Sequence, residues 1–379
     1  MASGLTVFVL IDALGWPYAQ GFLADLLPFR KPLRTVLGYS SGAIPTILTG
    51  LPPNQTGHWN LFYYDPDHSP FRWLRRFKLL PDGILDHRVT RKFLKESGRH
   101  VLGLGPLFEC CVSPRLLSSF DWIEKRNIYA PGGLTCGRSI FDSFVEAGVS
   151  YHSYSYHAGS DAALLKAACR DLREDAASFY FVYLSEMDAF LHHHCTEPEN
   201  IRKKLAWYSS ELTNLFRLAL EADPKARLAV ASDHGMTPVR HRFDLVSGLE
   251  GLGLAMPEDY LAVYDSTMAR FWFFKNGARG AITEYLKRQS CGRILTDAEL
   301  GELGTLFGDR RYGQMIFLLN PGCMLGRSDF NGRGWNPTGM HGYHPDDSNS
   351  DGIFLCNGEP GVTMRSIADL HTWMTAAGG

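Results

Sequence analysis

The sequence predicts an α/β protein built on a doubly wound, mainly parallel sheet, with a smaller α+β insertion. Three observations carry that expectation. Short continuous apolar runs, Thr6–Ile11, Phe179–Leu184 and Leu228–Ala231, have the composition of strands covered on both faces. Segments of helical periodicity stand between them, the alternation that parallel crossover connections need. After Pro238 the texture changes to longer strand-like runs and two short helices, which marks an insertion of roughly 90 residues.

Thr6–Ile11 is the first strand, ended by Asp12, and a helix is expected over Tyr18–Leu27 after Gly15 and Pro17. Residues 34–39 (RTVLGY) are expected to form a second strand leading into Ser40-Ser41-Gly42. A helix from Ala43 towards Leu48 should stop near Gly50 and the Pro52-Pro53 pair. Residues 58–130 are aromatic and irregular, and in them Arg72, Arg75, Arg76 and Lys78 interleave with Trp73, Leu74 and Phe77. Such a run reads first as a solvated face, and second as a contact for an anionic polymer, a lipid surface or a partner.

Gly137–Gly148 and Ala162–Leu172 read as helices, and Ser150–Tyr156 and Phe179–Leu184 as strands. A long amphipathic helix covers about residues 198–221 before Leu228–Ala231. In the insertion, Leu261–Phe274 and Met315–Leu319 read as strands, and Ala281–Arg288 and Asp297–Leu303 as helices. Gly352–Cys356 returns to the sheet and a helix from Ser366 closes the chain. The implied division is a core of residues 1–239 and 336–379 with an insertion or cap of residues 240–335.

The 379 residues can bury a large core, and 45% hydrophobic with 21% charged residues is ordinary for a globular chain. A net charge of −2 argues against bulk electrostatic binding of nucleic acid. No apolar run approaches the roughly 18 to 20 residues of a transmembrane segment. Met1–Leu14 lacks a basic start and a small-residue cleavage site, and Asp12 interrupts it, so it reads as a strand rather than a signal peptide. The eight cysteines, Cys110, Cys111, Cys136, Cys169, Cys195, Cys291, Cys323 and Cys356, show no CxxC pairing. They are expected as free buried thiols in a reducing compartment, with the cytoplasm as the default location.

Four places put ligand-type side chains just past a strand or in a glycine turn: Asp12, Asp188 with His192, Asp233-His234, and His341 in Gly339-Met340-His341-Gly342. Carboxyl ends of parallel strands are where open α/β sheets build their sites. A four-residue spacing puts Asp188 and His192 on one helix face. Taken singly, a strand-end Asp is most often a cap or turn residue, and a loop histidine is most often no ligand. Their joint appearance is what raises the expectation of metal. Three carboxylates and three imidazoles are an N/O donor set suited to zinc and tolerable for manganese or iron. Six donors are too many for one tetrahedral ion and fit a pair of divalent ions that clamps an in-line displacement at phosphorus. The segment Tyr39–Gly50 places hydroxyls, Ser40 or Ser41, at a strand-to-helix junction, where helix amides can receive a phosphoryl group. The alternative for either serine is a plain N-cap.

At these residues the chain resembles the alkaline phosphatase superfamily, in its type I phosphodiesterase/nucleotide pyrophosphatase branch. The resemblance runs through Ile11-Asp12, the segment ending Thr49-Gly50-Leu51-Pro52, Asp188-Ala-Phe-Leu-His192, Ser232-Asp233-His234-Gly235-Met236 and Gly339-Met340-His341-Gly342-Tyr343, and so spans nearly the whole chain. It implies an alkaline-phosphatase-like fold and two divalent ions, zinc before manganese. Asp188, His192 and His341 would hold one ion, and Asp12, Asp233 and His234 the other together with the nucleophile. It selects Ser40 over Ser41 and implies a phospho-seryl intermediate. The chain departs from the branch in carrying Ser41-Gly42-Ala43 where Phe-Pro-Asn is usual. The asparagine that donates to the phosphoryl oxygen would fall nearer Leu61, which leaves Asn60 as the candidate, and His344 replaces an acidic residue, with Asp346 and Asp347 beyond. The sulfatase branch, which needs Pro and Arg after its nucleophile, is disfavoured.

The expected activity is cleavage of a phosphodiester or pyrophosphate bond in a small phosphorylated or nucleotidyl substrate. A phosphomonoesterase or a phosphonate (C–P) hydrolase on the same metal core is the alternative, since fold does not fix substrate. A non-catalytic binding module is the remote reading, against which the complete ligand set argues. A homodimer is left open.

Overall fold

A run such as Thr6–Ile11 belongs where both faces of a sheet are covered, and it is buried along its whole length. The computed structural model describes residues 4–77, 82–104, 112–174, 177–329 and 335–378. The chain divides into two compact units, the first of Met1–Gly57, Ile128–Pro238 and Pro337–Gly379, the second of His58–Asn127 and Val239–Asn336.

The first unit holds a 6-stranded sheet of Thr6–Ile11 (β1), Phe29–Leu33 (β2), Tyr151–Tyr154 (β3), Phe179–Leu184 (β4), Arg227–Ala231 (β5) and Gly352–Cys356 (β6), in spatial order β2-β6-β5-β1-β4-β3. β1 pairs parallel with β4 and β5, and β3 parallel with β4, while β6 runs antiparallel to both β5 and β2. The sheet is therefore mainly parallel, and the carboxyl ends of β1, β4 and β5 lie along one edge. Its helices are Ser40–Thr49 (α1), Ile140–Ala147 (α2), Asp161–Glu174 (α3), Glu186–His194 (α4), Pro198–Ala222 (α5) and Asp369–Gly378 (α6).

Strand alternation sorts the core into two layers. Val7, Val9 and Ile11 pack with Leu164, Leu165 and Ala168 of α3, Met187 and Leu191 of α4 and Leu212 of α5. Phe8 and Leu10 pack on the other face with Ile44, Ile47 and Leu48 of α1, Phe141 and Phe144 of α2 and Trp373 of α6. This is the doubly wound arrangement expected.

Several elements differ from expectation, each for a local reason. The second strand is Phe29–Leu33, not residues 34–39, of which only Arg34 forms an isolated bridge, with Ser366. Its Arg30, Lys31 and Pro32 disguise it, but an edge strand tolerates charge and proline. The helix expected over Tyr18–Leu27 is one turn, Trp16–Ala19, and Leu23 at φ 53° leaves the helical region. Leu261–Phe274 is two antiparallel strands, Tyr260–Asp265 and Met268–Phe273. Residues 58–130 are more regular than expected, with the helix Arg88–His100 and the pair Phe62–Tyr64 and Phe120–Trp122. Among the described cysteines none is in a disulfide, and Cys136 is exposed rather than buried. Lys78, Cys110 and Cys111 lie outside the described residues. No described helix is long and apolar enough to cross a membrane.

The second unit is α+β. Its 4-stranded sheet runs Tyr260–Asp265, Met268–Phe273, Met315–Leu319, Gly292–Ile294, antiparallel throughout. Helices Leu245–Glu250 and Ala278–Lys287 cover one face through Leu249, Ile282 and Leu286. The opposite face, Leu261, Val263 and Trp272, packs on Phe62, Phe71, Leu74, Leu94 and Trp122. That contact is why residues 58–127, placed with the core by sequence pattern, group instead with residues 239–336. Arg270 ties the two segments together. It is fully buried, donates from Nε and Nη2 to Asp265 at 2.5 and 3.2 Å, and from Nη1 to the Phe62 carbonyl at 2.9 Å.

Removing one partner of a buried ion pair leaves the other charge uncompensated. Arg270→Met is therefore expected to lower the unfolding free energy by about 3–5 kcal/mol in denaturant titration. The double variant Arg270→Met/Asp265→Leu should recover part of that loss, and equal losses in single and double variants would remove the pair as the cause.

Candidate metal centre

The sheet edge gathers the predicted side chains of the first unit. Asp12 follows β1, Asp233 and His234 follow β5, and Asp188 and His192 lie in α4 directly after β4. His341 follows the two-residue strand Gly339–Met340, which pairs with Thr237–Pro238 just past the β5 turn. Close backbone approach makes this possible. A Cβ on Gly235 would stand 2.1 Å from the Asn349 carbonyl oxygen, and one on Gly339 would stand 2.5 Å from Cys195 Cβ.

Among the described residues, two groups of side chains bring ligand atoms within 4.8 Å of one another: Asp188, His192 and His341, and Asp12, Asp188 and His234. Asp188 thus stands in both groups, whereas the sequence reading gave it to one. Its Oδ2 lies 3.4 Å from His192 Nε2 and its Oδ1 3.4 Å from His341 Nε2. His234 Nε2 lies 3.5 Å from Asp12 Oδ1 and 3.3 Å from Asp233 Oδ2. The rings of His234 and His341 stack with centroids 3.9 Å apart.

The outer contacts orient these donors. His192 Nδ1 donates to the Gly339 carbonyl and His234 Nδ1 to the Gly235 carbonyl, each at 2.9 Å. In both rings Nε2 is therefore the nitrogen that carries the lone pair, and both turn it inward. Asp233 Oδ1 accepts from Ala13 N at 3.2 Å, and Tyr183 donates its hydroxyl to Asp12 Oδ2. The buried oxygens Asp188 Oδ1 and Asp233 Oδ2 accept no hydrogen bond. A buried carboxylate oxygen without a donor is costly.

The charges point the same way. Burial, and then the neighbouring Asp233 and Asp188, push Asp12 well above the usual carboxylate range. Burial also works against the charge on Asp188, but His192 and His341 hold it below that range. Burial, and then His234, push His341 well below an ordinary imidazole. Asp188 in turn raises His192 against its burial, and imidazoles gathered with mutually repelling carboxylates are the donor set a divalent cation satisfies. The residues fit the ions expected of them.

Ser40 is the first residue of α1, where helix amides turn towards the end of the helix. Its Oγ lies 3.0 Å from His234 Nε2 and donates to Asp12 Oδ1 at 3.4 Å. Ser41 is buried beside it. The N-cap is Tyr39, so Ser40 is not the capping residue. At the far end Gly50, at φ 72°, closes the helix in the left-handed conformation that glycine adopts without strain. Asn60 belongs to the second unit, where it is buried with Nδ2 3.8 Å from Met268 Sδ. Sequence reasoning missed Tyr183, hidden as one polar hydroxyl in an apolar strand. It missed Asp161 and Thr338 too. Thr338 N donates to the His192 carbonyl at 2.7 Å, and its hydroxyl accepts from Cys195 N at 3.1 Å.

The sequence profile of the type I phosphodiesterase / nucleotide pyrophosphatase family matches residues 39–344. The chain belongs to this family. It is a metal-dependent hydrolase. Among solved structures, murine ectonucleotide pyrophosphatase / phosphodiesterase 5 is similar at 15% identity and a TM-score of 0.69, covering 98% of this chain and 94% of that one. Its human counterpart is similar at 14% identity and a TM-score of 0.68, covering 98% and 94%. Phosphonoacetate hydrolase from Sinorhizobium meliloti 1021, in complex with phosphonoacetate, is similar at 14% identity and 0.66, covering 100% and 96%. Identities this low show a shared fold. No curated protein sequence matches.

A family hydrolase whose carboxylates crowd in this way should be stabilised by metal. Zn2+ at about 100 times its dissociation constant is expected to add about 2.7 kcal/mol to the unfolding free energy by mass action. The measurement is an upward shift of the thermal midpoint that a chelator reverses and that shrinks in His341→Ala.

Proposed function

We propose that this chain cleaves a phosphodiester or pyrophosphate bond in a small phosphorylated or nucleotidyl substrate, with Ser40 as nucleophile beside two divalent ions, zinc before manganese. The observation that carries the reading is the placement of Ser40 Oγ at a helix N-terminus, 3.0 Å from His234 Nε2 and 3.4 Å from Asp12 Oδ1. Asp188, His192 and His341 would hold one ion, and Asp12, Asp233 and His234 the other. When bound, such ions lower the pKa of a hydroxyl and offset charge on the attacking and leaving oxygens of an in-line displacement.

Ser40 Oγ attacks phosphorus. A serine–phosphorus ester bond forms as the bond to the leaving oxygen breaks, the serine proton passes to solvent, and the leaving oxygen takes up a proton. Water then cleaves the phospho-seryl ester, which restores the hydroxyl and releases the phosphate product. The Nδ1 bonds of His192 and His234 hold both rings in one tautomer through these steps. Asn60 is proposed as the donor to a phosphoryl oxygen; its buried Nδ2 lies 3.8 Å from a weak acceptor, Met268 Sδ. The absence of disulfides among the described cysteines supports a reducing compartment such as the cytoplasm. Phosphonate hydrolysis is the second reading, because phosphonoacetate hydrolase shares the fold over the whole chain.

Parallel rates on bis-p-nitrophenyl phosphate, p-nitrophenyl phosphate and phosphonoacetate, the last read as inorganic phosphate released by C–P cleavage, with metal analysis of the same samples, test this. The diester is expected to be hydrolysed fastest. Ser40→Ala should lower that rate on the order of 10³-fold or more without loss of bound metal. Ser41→Ala should leave most of it. Full activity in Ser40→Ala with none in Ser41→Ala would move the nucleophile, and a faster phosphonate rate would change the substrate class.

A further inference from the structure

We propose that Asp161, clasped to Glu186, is the positioning residue for the half of the metal centre formed by Asp188, His192 and His341; this rests on those three being ligands. The argument starts from a helix that does not cap itself. Ser185, the N-cap of α4, makes no side-chain capping bond. The first amides of α4 are taken by a residue of another helix. Asp161, at the start of α3, accepts from Ser185 N through Oδ1 at 3.0 Å and from Glu186 N through Oδ2 at 3.2 Å. Glu186 returns the bond, its Oε1 accepting from Asp161 N at 3.2 Å. This is a capping-box exchange made between two segments instead of within one.

Two side chains of α5 hold the exchange in place. Tyr208 donates its hydroxyl to Asp161 Oδ2, and Lys204 Nζ pairs with Glu186 Oε2 at 3.2 Å. Asp161 and Tyr208 are buried, where a satisfied network is stiff and a broken one is expensive. Three helices therefore meet at the Asp161 carboxylate, and the Glu186 amide it holds is two residues before Asp188.

That distance along the chain is what gives Asp161 its role. Asp188 lies in the first turn of α4 and His192 four residues on, so both inherit the position of the clasped amides. Metal ligand distances tolerate only about 0.2 Å of departure. Asp12, Asp233 and His234 hang instead from the ends of β1 and β5, and their group depends on α4 only through Asp188, which stands in both. Loss of the clasp should therefore weaken the ion of Asp188, His192 and His341 more than the other, which draws one ligand from α4. A merely structural role would weaken both equally through a common loss of stability.

The test uses the full chain, stripped of metal and titrated with Zn2+ against a competing chelator, with Co2+ absorption as a second readout. The wild type is expected to take two ions. In Asp161→Asn the dissociation constant of one should rise about 10–100-fold, the range seen when outer contacts of a metal site are removed, while that of the other rises distinctly less. The Co2+ spectrum of one ion should change more than that of the other. Tyr208→Phe removes only the hydroxyl and should show the same selectivity to a smaller degree, which decides the matter if Asp161→Asn does not fold. Equal weakening of both ions, or of neither, overturns the positioning role. A wild-type chain that takes up no ion overturns the ligand assignment itself.

Discussion

Three carboxylates brought together at one sheet edge are the constraint on which the first unit depends. Asp12 and Asp233 are buried and Asp188 keeps one oxygen buried beside them. Burial, and then repulsion from Asp233 and Asp188, hold Asp12 well above the range in which a carboxylate normally ionises. A chain selected for stability alone would fill these positions with apolar side chains, since buried charge without compensation costs several kcal/mol per ion. That they stand together, with inward-facing imidazole nitrogens, makes sense only if a cation belongs among them.

The parallel sheet makes that cluster possible. Parallel strands bring successive carboxyl ends to the same edge, so residues distant in sequence arrive side by side with no search through loops. β1 and β4 pair from Thr6↔Phe179 through Ile11↔Leu184, and β1 and β5 from Thr6↔Arg227 through Leu10↔Ala231. Asp12 and Asp233 are the residues just beyond. Glycines at 15 and 235 let the two turns touch: a Cβ on Gly15 would stand 2.7 Å from Gly235 Cα. Backbone, not side chain, fills the space behind the centre. The second unit is built on another principle, antiparallel pairing around the buried Arg270.

Much of this was legible in the sequence because the strongest signals are local. β1 and β4 have the bounds read from their apolar runs, and Asp188 and His192 share a helix face as their spacing requires. What the sequence hid was non-local. Phe29–Leu33 looks unlike a strand until it is known to be an edge, where Pro32 need not donate to a central ladder. Residues 58–127 carry no period that assigns them to either unit, because the cluster of Phe62, Trp122 and Trp272 that decides it is assembled from segments far apart. Tyr183 reads as one more aromatic in a buried strand, and its hydroxyl acquires meaning only when Asp12 is placed beside it. Each of these depends on partners distant in the chain, which one-dimensional patterning does not encode.

The two halves of the centre differ in what supports them, and that difference bears on how the site works. Asp12, Asp233 and His234 extend from strands locked by ladders on both sides, and Ser40, which touches His234 and Asp12, starts a helix whose remaining residues are buried. Ser40, the proposed nucleophile, and its immediate partners are thus fixed by the central strands and a buried helix, as pre-organised chemistry requires. Asp188 and His192 depend on a nine-residue helix, and His341 on a two-residue strand, Gly339–Met340, whose preceding residue is bonded to the end of that helix through Thr338 and the His192 carbonyl. α4 is therefore held at its start by Asp161 and at its end by the segment that carries His341. Its ligands share one fate. A displacement of α4 would open that half of the site as a unit and would reach the Ser40 half only through Asp188, which stands in both groups.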